Sequence, residues 1–592
     1  MSTSSVSISS ATNLNAAGDR FGKPARTRWY SQPTALRLVF WILGLSLACA
    51  QAWVYRYQTS ADSISYLDMS DGIMPGGDWH RLINRTWNPL YPFLLGCFRR
   101  VFGISAGHEI VAAHLLNIGF FILAFVSFEI FFANLVRHAS ARDSKISPFG
   151  ALPDWVPLSM AYSLFLWSAM SGISLEFLRP DMLLSSFFYL AAAILLSMYA
   201  KNAQWKDYLI FGLVSGVGFL AKVAMWPVAA VMLVISLFVV ADWRPAFKMA
   251  VSAFALMFVI GALYFVPLSR VVGKITLGET GAYNYLVHVD RAGPGDGWYL
   301  ENPGKGSGTF LHPPLRIFSS PPAYAFGQNE LVTHPLRFDP AWWMEGVRPR
   351  INLKRQIGET YASLIDLCRS LRWLLPFSAF VMFVGLAVPK DKHLQGIRRV
   401  WPILLVAIAG CGMYSLVHVE ARYVAVFLVM FCCAWLITFR ERPHRIAPKI
   451  LAAATILIVV SLLLPSTLIV YSKYFQFGRS RNTDALAAAQ LETLGVQPGD
   501  HVGRISSLLT DLAIERIARV EVVTEVDFTF AKHFWASPLE TQRQILRLFI
   551  ANGAKAVIAT KPELTDANRQ EWEQLASSQY WVWVASGDRS LR

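Results

Sequence analysis

The chain has 592 residues, of which 54% are hydrophobic and 16% are charged, and its mean hydropathy is +0.40. This composition excludes an ordinary soluble domain, since such domains carry about 25% charged residues. The net charge of +15 does not indicate nucleic-acid binding, because the basic residues fall mainly in short segments between apolar stretches. The composition therefore indicates a membrane protein.

Eleven apolar stretches are long enough to be predicted as membrane-spanning helices. A bilayer core of about 30 Å requires roughly 20 residues at a rise of about 1.5 Å each. The predicted spans are residues 38–55, 109–136, 155–171, 181–199, 207–221, 224–240, 249–268, 373–389, 400–417, 421–439 and 450–472. The predicted fold class is a polytopic α-helical membrane protein with about 11 transmembrane helices.

Basic residues predict the orientation of these spans. With a cytoplasmic N terminus, the basic loop segments fall on the cytoplasmic side, as the positive-inside rule requires. The residues concerned are Arg137, Arg142, Lys145, Lys201, Lys206, Arg244, Lys248, Lys390, Lys392, Arg398, Arg399, Arg440, Arg442, Arg445 and Lys449. Residues 1–34, rich in Ser, Thr, Ala and Asn, are expected to form a disordered cytoplasmic tail.

Residues 35–270 form the first predicted transmembrane module, which includes an outer loop over residues 56–108. This loop contains two short helical patterns. Around Ser63 to Ser70 the apolar Ile64, Leu67 and Met69 lie among Asp62, Asp68 and Asp71, and an apolar run of about 14 residues follows Pro89. The first pattern predicts a short amphipathic helix at the membrane interface. The second run is too short to cross a bilayer and is predicted to be an interfacial or re-entrant helix.

Two further segments are predicted to lie outside the cell. Residues 271–372 are rich in Gly, Pro and aromatic residues, and a loop of that length indicates an ordered cap with a function. After the transmembrane helices of residues 373–472, the strand-like runs HVGRIS, VEVVTEV, KAVIAT and YWVWVAS alternate with helical stretches. Residues 478–592 are therefore predicted to be a small extracytoplasmic α/β domain.

Ionisable residues gather where the predicted helices emerge on the outer face, and such residues mark functional sites by default. They are Asp62 after the first span, Arg179 and Asp181 in LRPDMLL, Lys222 in FLAKVAMWP, and Glu420 and Arg422 in VHVEARY. Arg and Lys side chains stabilise a departing phosphate, and a carboxylate accepts the proton of an attacking hydroxyl. The mixture indicates transfer chemistry on a phosphate-linked substrate.

Each of these residues also has a structural interpretation. Asp62 could be the N-cap of the short helix that follows it, and the Arg and Asp of LRPD could form a salt bridge that fixes a hairpin. Lys222 could extend its charged end to the membrane surface from a helix terminus. The Glu and Arg of VHVEARY, two residues apart, could pair with each other.

Two other motifs carry residues of chemical interest. Possible metal ligands are Asp78 and His80 in GGDWHRL, and the pair Asp68 and Asp71. No His or Cys pair at helical spacing completes a ligand set with them. No metal is expected. Trp342 and Trp343 in FDPAWWMEG could stack on sugar rings, or they could belong to an interfacial tryptophan belt.

The motifs ADSISYLDMSDG, WNPLYPFLLG, LRPDMLL and GFLAKVAMWP follow one another within residues 35–270, and VEARYVAVF lies near residue 419. Their order and their placement resemble the GT-C superfamily of membrane glycosyltransferases. Within it, the chain is most similar to dolichyl-phosphate-mannose protein mannosyltransferase-like and aminoarabinose transferase-like bacterial enzymes. The resemblance implies a GT-C type fold and inverting transfer of a sugar from a polyprenyl-phosphate donor to an acceptor hydroxyl on the extracytoplasmic side.

The resemblance also implies roles for single residues. Asp62 matches the catalytic base, although Ser63 follows it where the family often has a second acidic residue, for which Asp68 and Asp71 are possible substitutes. The expected donor phosphate-binding residues are Arg179, Lys222 and Arg422, and the expected substrate-groove residues are Tyr66, Asp68, Tyr91, Asp181 and Glu420.

The expected partners are a polyprenyl-phosphate-sugar donor, a lipid, glycan or protein acceptor, and membrane lipids of the bacterial cytoplasmic membrane, with no nucleic acid. No cofactor is expected, because the donor already carries an activated sugar. Two alternatives are a transporter or flippase of a lipid-linked glycan and a non-catalytic membrane binding protein. The absence of matching sequence halves and the position of the charges at one surface favour transfer over transport.

Overall fold

The computed structural model describes residues 34–140, 153–200, 204–240, 242–292, 305–327, 332–386, 390–438, 448–477, 482–506 and 511–584. The predicted disordered tail lies outside these residues, apart from Thr34, which begins the first helix. Much of the basic loop sequence also lies outside them, so the orientation of the spans stays a prediction.

Long apolar helices dominate the first half of the chain. In chain order the helices are α1 (Thr34–Val54), α2 (Ala61–Ser70), α3 (Leu90–Val101), α4 (Glu109–Ser140), α5 (Trp155–Trp167), α6 (Asp181–Ala200), α7 (Trp205–Ala221), α8 (Met225–Val239) and α9 (Trp243–Val272). α2 and α3 are the two short helices predicted for the outer loop. A π-helical turn, Ser168–Ile173, extends α5.

The middle of the chain contains the cap and four further membrane-type helices. Its elements are α10 (Thr280–Asn284), strands β1 (Leu315–Ser319) and β2 (Pro322–Ala325), then α11 (Pro335–Phe338), α12 (Pro340–Trp343), α13 (Leu353–Leu371), α14 (Leu375–Leu386), α15 (Lys390–Ser415), α16 (Ala421–Ile437) and α17 (Pro448–Phe477).

Each predicted span coincides with a helix, but the helices differ in length. Eight stretches of the described chain are at least 18 residues long and apolar enough to cross a membrane. The other three predicted spans correspond to α7, α8 and α16, which have 15 to 17 residues. At a rise of about 1.5 Å per residue these measure about 23–26 Å, less than a bilayer core of about 30 Å. The protein is polytopic and helical, and the count of eleven spans is not established.

Aromatic side chains at helical spacing form the core between α4, α5 and α6. Phe125 and Phe128 of α4 stack on Phe165 of α5, with ring centroids 4.7 and 4.9 Å apart. Phe128 also meets Tyr189 of α6 at 5.6 Å, almost edge-on. All four rings are buried, and such pairs add about 0.5–1.5 kcal/mol each beyond the burial of their area.

Close helix packing fixes the end of α7. A Cβ atom on Gly212 would lie 2.5 Å from the carbonyl oxygen of Ala253 in α9, so the two backbones touch. Small residues permit such contacts between membrane helices. The contact holds α7 against α9 and thereby positions the break that follows α7, where Lys222 lies.

The helix α13 was not anticipated within the cap. It contains exposed apolar residues at Leu353, Ile357, Tyr361 and Leu364, a helical stripe on one face. The remaining positions are largely polar or charged, so the sequence has no continuous apolar run there. Asn352 accepts a hydrogen bond from the backbone N–H of Arg355 and caps its start.

The tail is the α/β domain that the sequence predicted. Its elements are α18 (Thr483–Thr493), β3 (His501–Ser506), α19 (Ala513–Ala518), β4 (Glu521–Val526), α20 (Ala531–Ala536), α21 (Leu539–Ala551), β5 (Ala556–Thr560), β6 (Glu573–Gln574) and β7 (Tyr580–Val584). β3 pairs in parallel with both β4 and β5.

The cap and the tail share one sheet of seven strands in the order β1-β2-β4-β3-β5-β7-β6. Strand β2 of the cap pairs antiparallel with β4 of the tail, with Tyr324 opposite Glu525 and Ala325 opposite Thr524. The two segments that the sequence separates as cap and domain therefore form one continuous structure.

Candidate functional site

A cavity of about 430 Å³ lies where several helix ends meet; we call it the catalytic cavity. The start of α2, the turns before α6 and after α7, the residues around the start of α16, and the cap all contribute to its wall. The predicted site residues that line it are Asp62, Tyr66, Arg179, Asp181, Lys222, Glu420 and Arg422. Four separate chain segments thus bring their charged residues to one place.

Asp62 is not the helix cap that its structural interpretation suggested. Ser60 is the N-cap of α2, because its hydroxyl accepts the backbone N–H of Ser63 at 3.2 Å. The Asp62 side chain is 33% exposed, and its Oδ2 lies 3.8 Å from Nε of Arg179 and 4.0 Å from Nη1 of Arg422. Neither separation is a hydrogen bond, so these neighbours leave the carboxylate lone pairs open to the cavity.

Arg179 reaches this position through a contact between two loops. The backbone N–H of Leu178 donates to the Ser63 hydroxyl at 3.2 Å, which holds the LRPD turn against α2. The guanidinium lies 4.6 Å from the ring centre of Phe177. Among the described residues, no acceptor bonds the buried Nε atom. Arg179 therefore lines the cavity with its Nε donor unbonded but buried, and its ion-pair contact is with Asp62 rather than within LRPD.

Lys222 and Asp181 form a close ion pair, Nζ to Oδ1 2.6 Å. The Lys222 ammonium also lies 4.3 Å from the ring centre of Tyr423. Its charged end lines the catalytic cavity, so Lys222 does not extend to the membrane surface as its structural interpretation proposed.

Asn88, in the WNPLYP motif, fixes the break between α7 and α8. Its Oδ1 accepts the backbone N–H of Val223 at 3.1 Å, and its Nδ2 donates to the carbonyl of Phe219 at 2.9 Å. The Asn88 side chain is buried and lines the cavity. These two bonds set the backbone on both sides of Lys222.

Glu420 and Arg422 pair with each other, as their spacing allowed. Nε and Nη2 of Arg422 lie 2.6 and 3.0 Å from the two carboxylate oxygens of Glu420. Burial raises the pKa of Glu420, but bonding to His418 and the charge of Arg422 outweigh burial and hold the pKa well below its usual range. The fork arrangement orients Arg422, whose Nη1 also lies 3.6 Å from Asp181.

Several lining residues escaped the sequence analysis. His288 of the cap stacks on His418 with ring centroids 4.0 Å apart and planes 2° apart, and His418 lies 3.6 Å from Glu420. Burial lowers the pKa of His288 to about 4. Arg337 also lines the cavity. Only the tertiary fold brings these cap residues to the site, whereas Tyr423 and Asn88 lie within motifs that the sequence had marked.

Tyr66 and Tyr91 differ in position. Tyr66 lines the catalytic cavity, and burial together with the charge of Asp62 raises its pKa well above the usual range. Tyr91 lies outside the lining of that cavity. It packs edge-on against Tyr66 at 5.1 Å and donates to Oδ1 of Asn117 at 3.1 Å. The expected groove-wall role of Tyr91 is therefore corrected to support of Tyr66.

Asp68 does not reach the catalytic cavity, and its expected role in the groove is corrected. On a helix, Tyr66 lies four residues after Asp62 and shares its face, whereas Asp68 lies six residues on, at about 240° of rotation. Asp68 instead accepts bonds from Arg516 at 2.7 Å and from the Thr333 hydroxyl at 2.7 Å.

Asp68 belongs to a buried group that joins the tail domain to the membrane module; we call it the arginine cluster. Its members are Asp68, Asp71, Arg99, Glu109, Arg516 and Arg519. Burial raises the pKa of Asp71, but the attraction of Arg516 and its neighbours outweighs burial and lowers the pKa well below its usual range. Asp71 is therefore not a free auxiliary acid.

The charges of the catalytic cavity favour an anionic ligand. Its lining has four basic side chains and three carboxylates. The basic side chains are Arg179, Lys222, Arg337 and Arg422, and the carboxylates are Asp62, Asp181 and Glu420. Clefts lined with an excess of one sign concentrate ligands of the other. An arrangement of three or more cations around a partly exposed carboxylate that they do not bond is suited to holding a phosphate next to a base.

Asp78 and His80 contact each other, Oδ1 to Nδ1 2.7 Å, on an exposed turn. Within the described ranges, no group of three or more His, Cys, Asp or Glu residues could hold a metal ion. The expectation that no metal takes part stays a prediction.

No protein-family model and no curated protein sequence matches the chain significantly. Solved structures, in contrast, are similar to this chain. ArnT from Cupriavidus metallidurans in the apo state is similar with a TM-score of 0.52 and 12% identity, over 93% of this chain and 98% of that one. The same enzyme bound to undecaprenyl phosphate gives a TM-score of 0.53 and 12% identity, over 93% and 99%.

The chain has the GT-C fold. The expected fold class is thereby confirmed, including the helical membrane region and the small sheet domain near the C terminus. The apo oligosaccharyltransferase of Archaeoglobus fulgidus, also a GT-C protein, gives a TM-score of 0.44 and 12% identity over 90% of this chain and 70% of that one.

Proposed function

We propose that the protein is a membrane glycosyltransferase that moves a sugar from a polyprenyl-phosphate donor to an acceptor hydroxyl with inversion. The observation that carries the proposal is the partly exposed carboxylate of Asp62 in one cavity with four cations. The GT-C fold supports it, because ArnT, which has that fold, has been solved with undecaprenyl phosphate. The expected location is the bacterial cytoplasmic membrane, with the site facing outward.

The reaction needs one base and one stabilised leaving group. The acceptor oxygen attacks the anomeric carbon while its proton passes to Asp62. The new carbon–oxygen bond forms as the bond from the anomeric carbon to the phosphate oxygen breaks, and the phosphate leaves with that electron pair. No soluble cofactor takes part in this balance, because the donor carries the activated sugar.

Among the three carboxylates of the cavity, Asp62 is the best placed to accept the proton. Oδ1 of Asp181 bonds Lys222 at 2.6 Å, and both oxygens of Glu420 bond Arg422. The cations nearest Asp62 stay at 3.8 and 4.0 Å. A base must be within hydrogen-bond reach of its proton and must have a free lone pair, and Asp62 meets the second condition.

The cations would hold the donor phosphate. Arg179 and Arg422 offer planar groups of N–H donors, and Lys222 offers a compact charge. Asp181 and Glu420 would keep Lys222 and Arg422 in place through the bonds described above. Preorganised donors of this kind stabilise charge that develops in the transition state, and removing one typically costs about 100-fold in rate or more.

The experiment compares the purified protein with its Asp62→Asn variant in detergent, supplied with radiolabelled polyprenyl-phosphate sugars and a membrane extract. The substitution keeps the shape of the side chain and removes the base, so we expect transfer to fall at least about 100-fold while donor binding persists. Asp566→Asn, at an exposed position of the tail, is the matched control and should transfer as the wild type does.

Two other outcomes would contradict parts of the proposal. Equal transfer by both proteins would show that Asp62 is not the base. Donor binding by the wild type without transfer of any of the labelled sugars would favour the alternatives of a flippase for a lipid-linked glycan or a binding protein.

A further inference from the structure

A second cavity, of about 560 Å³, lies beside the catalytic cavity; we call it the outer cavity. Two motifs that the sequence singled out and the proposed chemistry does not use meet in its wall. Asp78 and His80 come from the first outer loop, and Trp342 and Trp343 come from the cap. Glu521 of the tail domain also lines it. Three distant parts of the chain therefore build this cavity.

The two cavities share one wall. In the segment that contains α11 and α12, Arg337 and Pro340 line the catalytic cavity, while Phe338 and Asp339 line the outer cavity. Asp339 fastens this wall, since its Oδ1 accepts the Thr86 hydroxyl at 3.0 Å. A molecule in the outer cavity would thus lie next to the reacting centre without entering it.

The tryptophans of the outer cavity have fixed orientations. Trp342 stacks on His312 with ring centroids 4.0 Å apart and planes 3° apart. Trp343 stands perpendicular to Trp342 at 4.9 Å, and its Nε1 donates to the carbonyl of Pro335 at 3.1 Å. Fixed aromatic surfaces bind a partner with little loss of conformational entropy. A sugar ring has an apolar C–H face that fits such a surface.

The other lining residues are mixed, and the charged ones have both signs. The polar ones are Asp78, His80, Asp339, Glu521, Arg81 and Arg85, and the apolar ones are Ile83, Val271, Phe326, Val332, Pro335 and Phe338. The charge of Arg85 is compensated, because its Nη1 lies 2.9 Å from Glu345 and 3.7 Å from Glu279. An acyl chain would desolvate these groups at a large cost. A ligand with many hydroxyl groups would bond both the donors and the acceptors.

The outer cavity is larger than one sugar unit requires. A third cavity, of about 350 Å³, shares Arg81, Val332 and Glu521 with the outer cavity. It continues to the Pro498–Gly499 turn of the tail. Binding pockets for small ligands measure about 300–1,000 Å³, so the outer cavity and its neighbour each have room for a small ligand.

We propose that the outer cavity binds the carbohydrate of the acceptor at sugar units other than the one that reacts. The inference rests on the proposed function, because it takes the acceptor to be a glycan or a glycolipid. The ligand packs a ring face on Trp342 and bonds the loop and tail residues through its hydroxyls. The reacting hydroxyl reaches Asp62 past the wall formed by α11 and α12.

The test measures binding without transfer. Calorimetry on purified protein uses maltotriose, mannotriose, chitotriose and the lipid-free oligosaccharide that mild acid releases from bacterial envelopes. We expect at least one of these probes to bind wild type and Asp62→Asn equally. Trp342→Ala should weaken that binding at least tenfold, whereas Trp342→Phe should stay within about threefold. Trp205→Ala, at an exposed tryptophan of α7, is the control and should bind normally.

A second variant protects the test against misfolding. Asp78 lies on an exposed turn, so Asp78→Ala should fold normally and weaken binding severalfold. Binding of none of the probes to wild type would overturn the proposal, and so would unchanged binding in both Asp78→Ala and a folded Trp342→Ala. Glycan binding together with full transfer by Asp62→Asn would instead reject Asp62 as the base and leave the outer-cavity site standing.

Discussion

Lys222 and Asp181 are 2.6 Å apart at the wall of the catalytic cavity, although 41 residues separate them in the chain. The Asp181 side chain is 4% exposed and that of Lys222 is 20% exposed. The pair joins the start of α6 to the break after α7. It fixes an ammonium group that still faces the cavity, which is the arrangement that a phosphate ligand requires.

Replacing Lys222 should weaken donor binding. A hydrogen bond to a charged group contributes about 1.5–3 kcal/mol, so Lys222→Met should lower the affinity for undecaprenyl phosphate about 10-fold to 150-fold. Binding of the labelled lipid to purified protein measures this. Lys274→Met is the control, because Lys274 is 62% exposed and outside the lining of the catalytic cavity. Equal affinities of Lys222→Met and Lys274→Met for the lipid would show that Lys222 does not contact the phosphate.

Asn88→Ala should act on both stability and binding. The substitution leaves the N–H of Val223 and the carbonyl of Phe219 without their partner, and each unsatisfied buried group costs about 1–3 kcal/mol. We expect a lower unfolding temperature and a weaker affinity for undecaprenyl phosphate, since the backbone around Lys222 loses its support. Asn134→Ala is the comparison, as Asn134 bonds a carbonyl of its own helix. A stable variant with normal affinity would contradict the positioning role.

Arg516→Met should loosen the tail domain. The Arg516 side chain is 2% exposed and bonds Asp68, Asp71 and Glu109. Removing one partner of a buried charge group costs about 3–5 kcal/mol. We expect a lower unfolding temperature and faster proteolytic release of the tail. Arg547→Met, which removes a 68% exposed arginine from the same domain, should change stability by no more than about 0.5 kcal/mol. Similar behaviour of the two variants would refute the docking role.

The charges of the arginine cluster should also make the stability of the folded protein depend on pH. The folded pKa of Asp71 is lowered from its usual 3.8, so its contribution to stability is complete above about pH 5 and is lost on acidification. The unfolding temperature of Asp71→Asn should therefore fall furthest below that of the wild type at pH 7, and the gap should narrow below about pH 4. Asp366→Asn, at an exposed carboxylate, should show little gap at any pH. A gap for Asp71→Asn that is constant with pH would contradict the assignment.

The sequence was sufficient to predict features that depend on local patterns. The apolar runs located every long helix except α13, whose apolar stripe occupies one face only. The tail strands were visible as short β-branched runs. All the charged residues that line the cavity except Arg337 were identified, because charge at a membrane helix end is costly and therefore conspicuous.

Features that depend on distant contacts were not predictable. Asp68 was expected in the substrate groove and as a possible second acidic residue, because the helical rotation of α2 and the position of Arg516 cannot be read from local sequence. His288 and Arg337 have no local signal, since the cap sequence does not show which side chains turn toward the membrane module. Asp78 and Trp342 line the same cavity because of the way some 260 intervening residues fold, about which residue spacing gives no information.

The pairing of β2 with β4 constrains how the molecule is assembled. These strands lie on opposite sides of α14, α15, α16 and α17 in the chain. The hairpin of β1 and β2 is therefore synthesised before its partner strand exists, with an open strand edge that can pair wrongly. The sheet can close only after α17, the last of these helices, has been synthesised. Contacts of such long range form slowly, so completion of the sheet is expected to be a late event in biogenesis, and a shortened chain would lose the cap along with the tail.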